Sequence, residues 1–583
     1  MFVPPKFLRK ESRDGRLSTR VWVTGDEPFV YPEQAANIVR QRRSTGVAFS
    51  GGGNRAMVAA WGQLRGLVDS GLIDQVDYIS CVSGGSWAST AFTYYRDGAR
   101  DDAEFLGPLI DPDRIQRSEL ERMSPNTLGI TATESFMSQL IEGALHVPMG
   151  RSTPNNVWLH AVGRTFFERF GIYNNDRPSF FSYDEGSVAD IISRNPSLRE
   201  DQFYTVRNQT GDARRPYLII NSTLIWPGVG GKNFVHFEHS PLSAGSKQRL
   251  TVYESPENQS GDRAALGGGF IEPFAFGSPR PRTWPPQDHC ESGVGADGCV
   301  YVDAPERAYD LAFASGTSSA AFAAMGATLG GRIPFFGQMT QQGPPLHRYW
   351  PVPDLAAAST PADEPYTFGD GGSLENLGVI PLLVRGVQNL VVFVNTERRL
   401  DVDYDPSDPD NNPPSIFGLD GGISPLFGIT PADRKQPPTP NNQVFRKEDF
   451  ATVVSALQRA HSGRRREVGP CIVNTPLEVQ VNDWWGVEGG YTANVCWVYL
   501  ERVSEWESRL DPDLGRLIDT AYEAEPKEKV PFWGFPNYKT MFQSGKGQIL
   551  AMHPREANLL ADFTAWVTAR SSRSRVIEET LLA

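Results

Sequence analysis

A serine with small neighbours stands where a predicted strand gives way to a predicted helix. Residues 81–87 read CVSGGSW, and the apolar run before the serine ends at Val82. A serine on such a sharp turn is held above a sheet, as in a nucleophile elbow, where a neighbouring base can activate its hydroxyl. The motif G-x-S-x-G has glycine where this chain has Cys81, but cysteine is also small. The segment therefore predicts that Ser83 is a nucleophile, and a plain serine N-cap on the helix is the alternative.

A run of glycines precedes this serine. Residues 50–55 read SGGGNR and also lie between a predicted strand and a predicted helix. Glycine lets backbone N–H groups approach an anion, and a helix N-terminus adds positive potential, so the run is suited to an oxyanion hole. The segment lacks the Lys-Ser/Thr of a phosphate-binding P-loop and the spacing of a dinucleotide site. A tight turn with no chemical role is the alternative.

A third segment offers a carboxylate between glycines. Residues 369–378 read GDGGSLENLG, so Asp370 stands where the backbone can come close to a substrate. The alternative is a common Asp-Gly turn. None of the eight histidines has an obvious loop context, and we expect each to be a surface or structural residue. A Ser-His-Asp triad stays open, although nothing indicates it.

The elements around these segments predict an α/β fold. Residues 46–50 and 76–82 form short apolar runs typical of buried strands, and residues 56–72 show helical periodicity. A second helix of small residues starts near Trp87. Strand, turn and helix occur twice in succession, which is the pattern of a parallel sheet. Further strands are predicted at 216–224 (PYLIINSTL) and 390–395 (LVVFVN).

The organisation along the chain favours one catalytic domain with insertions. Residues 1–44 are charged and weakly periodic, which indicates an N-terminal arm. We expect the α/β core at 45–400, with a lid candidate at 120–150 and a loop-rich insertion at 255–303. Residues 401–583 contain another loop-rich insertion and a C-terminal region that we expect to pack on the same domain.

Composition limits the class of protein. The chain has 583 residues, of which 39% are hydrophobic and 21% charged, as in ordinary globular proteins. A net charge of −13 disfavours nucleic-acid binding, because phosphate contacts need Lys and Arg. The sequence has no apolar window long enough for a transmembrane helix and no signal-peptide core, so we expect a cytoplasmic protein, peripheral to membranes at most.

The five cysteines allow two interpretations. Cys81 lies in a predicted strand and is expected to be a free, buried thiol. Cys290 with Cys299 and Cys471 with Cys496 would make two disulfides, and four further free thiols are the alternative. None shows the C-x-x-C spacing of a zinc site, so no metal is expected.

Five segments, in the same order, resemble one known family. They are 50–57 (SGGGNRAM), 83–87 (SGGSW), 237–241 (FEHSP), 314–322 (ASGTSSAAF) and 370–372 (DGG). Together they resemble the catalytic domain of cytosolic phospholipase A2 and fungal lysophospholipase (phospholipase B), within the patatin-like superfamily. The resemblance implies a three-layer α/β fold with a mostly parallel central sheet, helices on both sides, and cap or lid insertions.

The resemblance also implies roles for named residues. Ser83 would be the nucleophile and Asp370 its base, a dyad without histidine. Gly52 and Gly53 would donate the oxyanion hydrogen bonds, and Arg55 would hold the phosphate headgroup. The implied reaction cleaves fatty acyl esters of phospholipids or lysophospholipids through an acyl-enzyme, as in a phospholipase A2 or a lysophospholipase, with no cofactor.

Membrane contact is expected to come from the catalytic domain itself. About 44 residues precede the first predicted catalytic strand, too few for the calcium-binding C2 domain of the family's mammalian members, so we expect calcium-independent activity. Residues 134–147 (ESFMSQLIEGALHV) form a candidate lid or docking helix for transient contact with a membrane surface. A helix that faces the core is the alternative.

Other functions remain open at this stage. A transacylase would use the same groups, with a lipid alcohol in place of water. A serine esterase acting on other esters is a further alternative, favoured by a polar and narrow cleft. A catalytically inactive lipid-binding protein belongs to another class, and the presence of Ser83, Asp370 and Arg55 argues against it.

Overall fold

The fold is taken from a computed structural model of the chain. It describes residues 16–25, 29–40, 44–134, 136, 138–139, 142, 153–207, 215–225, 234–253, 263–281, 296–320, 345–352, 365–433, 442–462, 467–523, 530–539 and 552–583.

One large sheet organises these residues. The described strands are β1 (Arg16–Val23), β2 (Thr45–Phe49), β3 (Tyr78–Val82), β4 (Phe180–Ser182), β5 (Phe203–Thr205), β6 (Tyr217–Ile225), β7 (Phe234–His239), β8 (Ala244–Tyr253), β9 (Arg263–Ile271), β10 (Gly298–Asp303), β11 (Leu346–Arg348), β12 (Pro365–Asp370), β13 (Asn389–Val394), β14 (Ile472–Val479) and β15 (Tyr491–Tyr499). Its main path runs β10-β1-β9-β8-β7-β6-β3-β2-β13-β15-β14, and β11 and β12 join it through β6. Strands β4 and β5 form a separate pair.

The α/β prediction is confirmed, but the sheet is mixed and not mostly parallel as expected: the parallel strands form only its centre. Strands β6, β3, β2, β13 and β15 are parallel to one another, while the pairs on either side are antiparallel. Every residue of β2, β3 and β13 is buried. Such strands read as continuous apolar runs because both faces of the sheet are covered. The sequence showed these runs clearly, whereas the antiparallel extensions depend on long-range pairing.

Helices cover both faces of the central strands. They are α1 (Pro32–Ala35), α2 (Gly53–Asp69), α3 (Gly84–Tyr94), α4 (Asp102–Leu106), α5 (Arg117–Leu120), α6 (Ile130–Thr133), α7 (Val157–Val162), α8 (Glu185–Arg194), α9 (Leu311–Ser318), α10 (Ile380–Val384), α11 (Asp449–His461), α12 (Ser504–Glu507), α13 (Pro512–Glu523), α14 (Pro554–Arg570) and α15 (Ser574–Leu582). Val47 and Phe49 of β2 pack in the core with α2, α3 and α14, whereas Ala48 packs in the other core with α10 and α11. This alternation produces the expected three layers.

Strand β6 brings two distant strand ends together. Val82, the last residue of β3, pairs with Asn221, and β3 runs parallel to β6. Asp370, the last residue of β12, pairs with Ser222, and β12 runs antiparallel to β6. Since β7 occupies the opposite edge of β6 over these residues, β3 and β12 share one edge and end head to head. The turn that carries Ser83 therefore meets the turn that begins at Asp370.

One of the two possible disulfides is wrong. Cys471 and Cys496 are free, buried thiols, as is Cys81. The register of β14 and β15 pairs Cys496 with Asn474, not with Cys471. The two thiols also belong to different cores, on opposite faces of the sheet, so they cannot bond. Cys299 is disulfide-bonded, and its predicted partner Cys290 lies outside the described residues.

The candidate docking helix is described only in part. Phe136 is buried and stacks on Trp87, with its ring also against Trp158 at 4.9 Å. This residue therefore faces the core. Met137, Leu140, Ile141 and residues 143–147 lie outside the described residues.

Candidate active site

Ser83 occupies a strained turn between β3 and α3. Its backbone has φ +52° and ψ −122°, a conformation that a residue with a side chain rarely adopts. The side chain does not cap the helix, although Ser83 stands at the N-cap position. In the described part of the chain its hydroxyl makes no hydrogen bond, and the residue is 9% exposed. This geometry is that of a nucleophile elbow rather than of a capping serine.

The N-terminus of α3 lies directly against the glycine run. A Cβ placed on Gly84 would collide with the carbonyl oxygen of Gly53 and stand 2.8 Å from its carbonyl carbon. Only glycine permits this approach, because the obstacle is backbone and cannot rotate away. The approach fixes the glycine turn beside Ser83.

The glycine turn leaves the start of α2 open. Gly52 has φ +141° and Gly53 has φ +60°, and no side chain among the described residues caps the helix at Gly52. The first N–H groups of a helix have no partner within it and carry partial positive charge. The turn can therefore offer N–H donors to a developing oxyanion beside Ser83.

Asp370 is held by two contacts at the end of β12. Its Oδ1 accepts the N–H of Gly372 at 2.7 Å, and its carbonyl accepts the hydroxyl of Thr223 at 2.8 Å. The residue is 5% exposed. The short turn 370–372 is thus present, as one sequence interpretation expected, and it holds a buried carboxylate at the end of β12.

Arg55 points into the protein at the base of the glycine turn. Its Nε donates to the carbonyl of Asn395 at 3.0 Å, and its Nη1 donates to the carbonyl of Tyr538 at 2.8 Å. Glu397 pairs with the same guanidinium at 3.5 Å, and Nη2 lies against Gly52. Burial lowers the pKa of Arg55, which Glu397 partly offsets. The charge therefore lies beside the glycine turn and is already shared with protein groups.

The segment ASGTSS contributes residues that sequence reasoning did not assign. Ser318 Oγ accepts the N–H of Ser83, and Ser319 Oγ accepts Nε1 of Trp87, each at 3.0 Å. Ser315 Oγ bonds Ser86 Oγ at 2.8 Å. The end of α9 is therefore fastened to the start of α3 by hydroxyl groups. The G-T-S-S motif was the available signal, but its contacts could not be deduced from it.

Buried histidines lie near the site but are bonded elsewhere. His236 Nε2 bonds Asn221 Oδ1 at 2.9 Å, and His347 Nε2 bonds the hydroxyl of Thr317 at 3.1 Å. Burial lowers the pKa of His236 to about 4 and that of His347 to about 3. Both rings are therefore neutral near pH 7, in line with the expected structural role.

Comparison with known proteins finds relatives of one kind. No family model matches the chain. Human cytosolic phospholipase A2 zeta is 28% identical over 197 residues, which are 34% of this chain and 19% of that protein. Mouse cytosolic phospholipase A2 zeta is 42% identical over 77 residues, 13% of this chain and 9% of that protein. Human cytosolic phospholipase A2 beta is 32% identical over 110 residues, 16% of this chain and 14% of that protein.

A solved structure gives a weaker likeness. Human GIVD cytosolic phospholipase A2 aligns with 94% of this chain and 64% of its own, with 13% identity and a TM-score of 0.45. The aligned sequence segments span at most about a fifth of the curated relatives.

These matches and the five motif segments agree on one class of protein. The described α/β body carries a strained serine turn and a glycine turn at the ends of adjacent central strands. The matched stretches are similar to cytosolic phospholipases A2, and the likeness supports a catalytic domain of that kind. None of the helices in the described residues is long and apolar enough to cross a membrane. No group of three or more metal-ligating His, Cys, Asp or Glu side chains occurs among those residues either.

Proposed function

We propose that the chain is a lipid acyl hydrolase of the phospholipase A2 or lysophospholipase type, with Ser83 as nucleophile and Asp370 as base. The observation that carries this proposal is the head-to-head meeting of β3 and β12 along one edge of β6. The strained serine and the buried carboxylate, far apart in the chain, follow or end these two strands, which supports the proposal. The sequence relatives, all cytosolic phospholipases A2, support the lipid substrate class.

The proposed reaction proceeds in two halves. Asp370 takes the proton of the Ser83 hydroxyl as its oxygen attacks the acyl carbonyl, and the N–H groups of Gly52 and Gly53 stabilise the oxyanion. The ester C–O bond breaks, and the leaving alkoxide takes the proton from Asp370. Water then attacks the acyl-enzyme and gives its proton to Asp370, which returns it to Ser83 Oγ as the fatty acid leaves.

The proposed dyad needs a hydrogen bond between Ser83 and Asp370 to form during catalysis. The Ser83 hydroxyl lacks a hydrogen bond to described residues, and catalytic hydrogen bonds often tighten only when substrate binds.

Arg55 is proposed to bind the phosphate headgroup, in competition with Glu397. Contact with a membrane surface and a cytoplasmic location belong to the same proposal.

Fatty-acid release from vesicles tests the proposal. Vesicles of phosphatidylcholine and lysophosphatidylcholine, with differently labelled acyl chains, are incubated in EGTA with wild type, Ser83→Ala or Asp370→Asn. We expect release by wild type and a fall of about 10³-fold or more in both variants. Ser373→Ala is the matched control, because Ser373 is an exposed serine of the same turn region and should leave release unchanged.

Each contrary outcome has a distinct meaning. Near-normal turnover by Asp370→Asn would show that the dyad is wrong. Acyl transfer to lysophospholipid in place of free fatty acid would identify a transacylase. No release by wild type, combined with cleavage of soluble esters, would leave a serine esterase, and binding without any cleavage would leave a lipid-binding protein.

A further inference from the structure

The side-chain oxygen of Asn376 lies near both Ser83 and Asp370. A Cβ placed on Gly51 would touch Asn376 Oδ1 and would stand 3.0 Å from Ser83 Cβ. One placed on Gly372 would stand 2.5 Å from Asn376 Oδ1 and 2.9 Å from Asp370 Oδ1. The Asn376 oxygen and Ser83 therefore both contact the space beside Gly51, and the same oxygen and Asp370 both contact the space beside Gly372. Neither glycine can be replaced without displacing this amide.

The backbone of Asn376 is fixed from both sides. Its carbonyl accepts the N–H of Gly51 at 3.0 Å, which ties it to the glycine turn. The carboxylate of Glu375 accepts the N–H of Leu377 at 2.5 Å and that of Ile380 at 3.3 Å. The amide thus projects from a rigid segment, as a group that must hold a small ligand does.

The amide itself has no hydrogen-bond partner among the described residues, and Asn376 is partly exposed. The side chains of Asp370 and Glu375 in the same segment do accept backbone N–H groups. A carboxamide can both donate and accept, which suits it to bind a water or an alcohol oxygen.

We propose that Asn376 binds the oxygen that leaves and enters at the acyl carbon, and so acts as a catalytic residue of hydrolysis. The inference rests on the proposed function and adds a residue to it. At a serine ester, the alcohol that leaves in the first half and the water that attacks in the second occupy the same place, by microscopic reversibility. That place adjoins both Ser83 and Asp370, as the Asn376 amide does.

Hydrolysis of the acyl-enzyme needs only water, Ser83, Asp370 and the Asn376 amide. The amide orients the water while its oxygen forms the new bond to the acyl carbon, and one water proton passes to Asp370. The bond between the acyl carbon and Ser83 Oγ then breaks, and Asp370 returns the proton to that oxygen. Asn376 gains and loses no proton, so its contribution is one hydrogen bond that orders the water.

The experiment separates the two halves with an activated substrate. A p-nitrophenyl acyl ester has a leaving group that needs little stabilisation, so a rapid burst reports acylation and the later slope reports hydrolysis of the acyl-enzyme. For Asn376→Ala we expect an unchanged burst and a slope reduced about tenfold, the effect of one lost hydrogen bond of about 1.4 kcal/mol. Asn376→Asp, which keeps the shape and loses the N–H donors, should lower the slope as well.

The possible outcomes distinguish the role inferred for Asn376 from the proposed Ser83–Asp370 dyad. Ser373→Ala should match wild type in burst and slope. If Asn376→Ala and Asn376→Asp both keep the wild-type slope, the inference is wrong and the dyad stands. If burst, slope and melting temperature fall together in both variants, Asn376 is structural and the inference is wrong. If wild type shows no Ser83-dependent burst, the proposed function and the inference fail together.

Discussion

Ser318 holds the backbone of Ser83: its hydroxyl accepts the N–H of Ser83 at 3.0 Å and donates to the carbonyl of Asn221 at 2.5 Å. Asn221 pairs with the last residue of β3, so this one hydroxyl joins α9, β6 and the elbow turn. All three residues are buried. A strained turn persists only when surrounding contacts hold it, and Ser318 provides one of them.

Replacement of Ser318 by alanine should impair catalysis more than it impairs binding. Ser318→Ala leaves a buried N–H and a buried carbonyl unpaired, which should lower the free energy of unfolding by about 1–3 kcal/mol. Because the elbow can then relax, we expect kcat to fall about tenfold with little change in KM. Steady-state kinetics and thermal denaturation measure the two effects.

Ser319→Ala is the matched control for this prediction. It removes the hydrogen bond from Trp87 Nε1 at the same helix end, without contact to the Ser83 peptide. We expect a similar loss of stability with near-normal kcat. An equal loss of kcat in both variants would show that the effect is general loosening and not the position of Ser83.

Local sequence determined the two turns of the site, and long-range pairing determined the rest. The strand and helix on either side of each glycine turn were predicted within a few residues, because apolar runs and glycines encode them locally. The position of Asp370 beside Ser83 depends on β12 joining β6 some 145 residues away. Neither Ser318 nor Asn376 could be assigned, since their roles come only from contacts across the fold.

One motif residue proved to serve the fold. Glu238, in the FEHSP segment, pairs with Arg385 through Nη2 at 2.5 Å, and Glu33 pairs with Nε of the same guanidinium at 2.8 Å. All three side chains are buried, and the cluster ties α1 to β7 and to the end of α10. A buried charge needs such partners, so this part of the motif is explained without any role in chemistry.

Gly84 should not tolerate a methyl group. Gly84→Ala places a Cβ against the carbonyl of Gly53, so the glycine turn or the start of α3 must move. We expect a loss of about 1–3 kcal/mol in the free energy of unfolding, the usual effect of overpacking, together with a marked fall in activity. Chemical denaturation and ester hydrolysis by the purified variant give both values.

A glycine in another helix provides the comparison. A Cβ on Gly186, near the start of α8, would meet the side chain of Asp184 at 3.4 Å, an ordinary contact. Gly186→Ala should therefore be neutral or stabilising by about 0.5–1 kcal/mol. If Gly84→Ala is equally well tolerated, the close approach of the two turns is not required.

The charge on Glu397 should weaken the binding of a substrate phosphate to Arg55. The two side chains pair at 3.5 Å, so a phosphate must compete with a carboxylate for the guanidinium. We expect Glu397→Gln to lower KM for a phospholipid about two- to fivefold, the worth of one partly exposed ion pair, and to leave KM for a neutral ester unchanged.

Arg55→Ala gives the reciprocal measurement. It should reduce turnover of phospholipid more than that of the neutral ester, in addition to a loss of stability from the released carbonyls of Asn395 and Tyr538. Equal losses for both substrates would show that Arg55 supports the glycine turn and does not hold the headgroup.

Glu375 should make the protein less stable as the pH rises towards neutrality. Burial raises its pKa to about 7, although backbone N–H groups, first that of Leu377, oppose the shift. An unfolded glutamate titrates near about 4.3, so between these values only the folded protein holds the proton. The stabilisation is complete below the unfolded pKa and is lost as the pH rises through the folded one, a change of about 4 kcal/mol.

Glu375→Gln isolates this contribution. Glutamine stays neutral, so the variant should gain stability relative to wild type between pH 4.5 and 7.5 when unfolding is measured in urea. Glu501, whose pKa burial also raises to about 7, is present in both proteins and cancels in the difference. Glu579→Gln, at an exposed position, is the control, and its free energy of unfolding should vary with pH as that of wild type does. If the difference between Glu375→Gln and wild type is constant with pH, Glu375 is ionised in the folded protein throughout this range, and its hydrogen bonds to the backbone outweigh its burial.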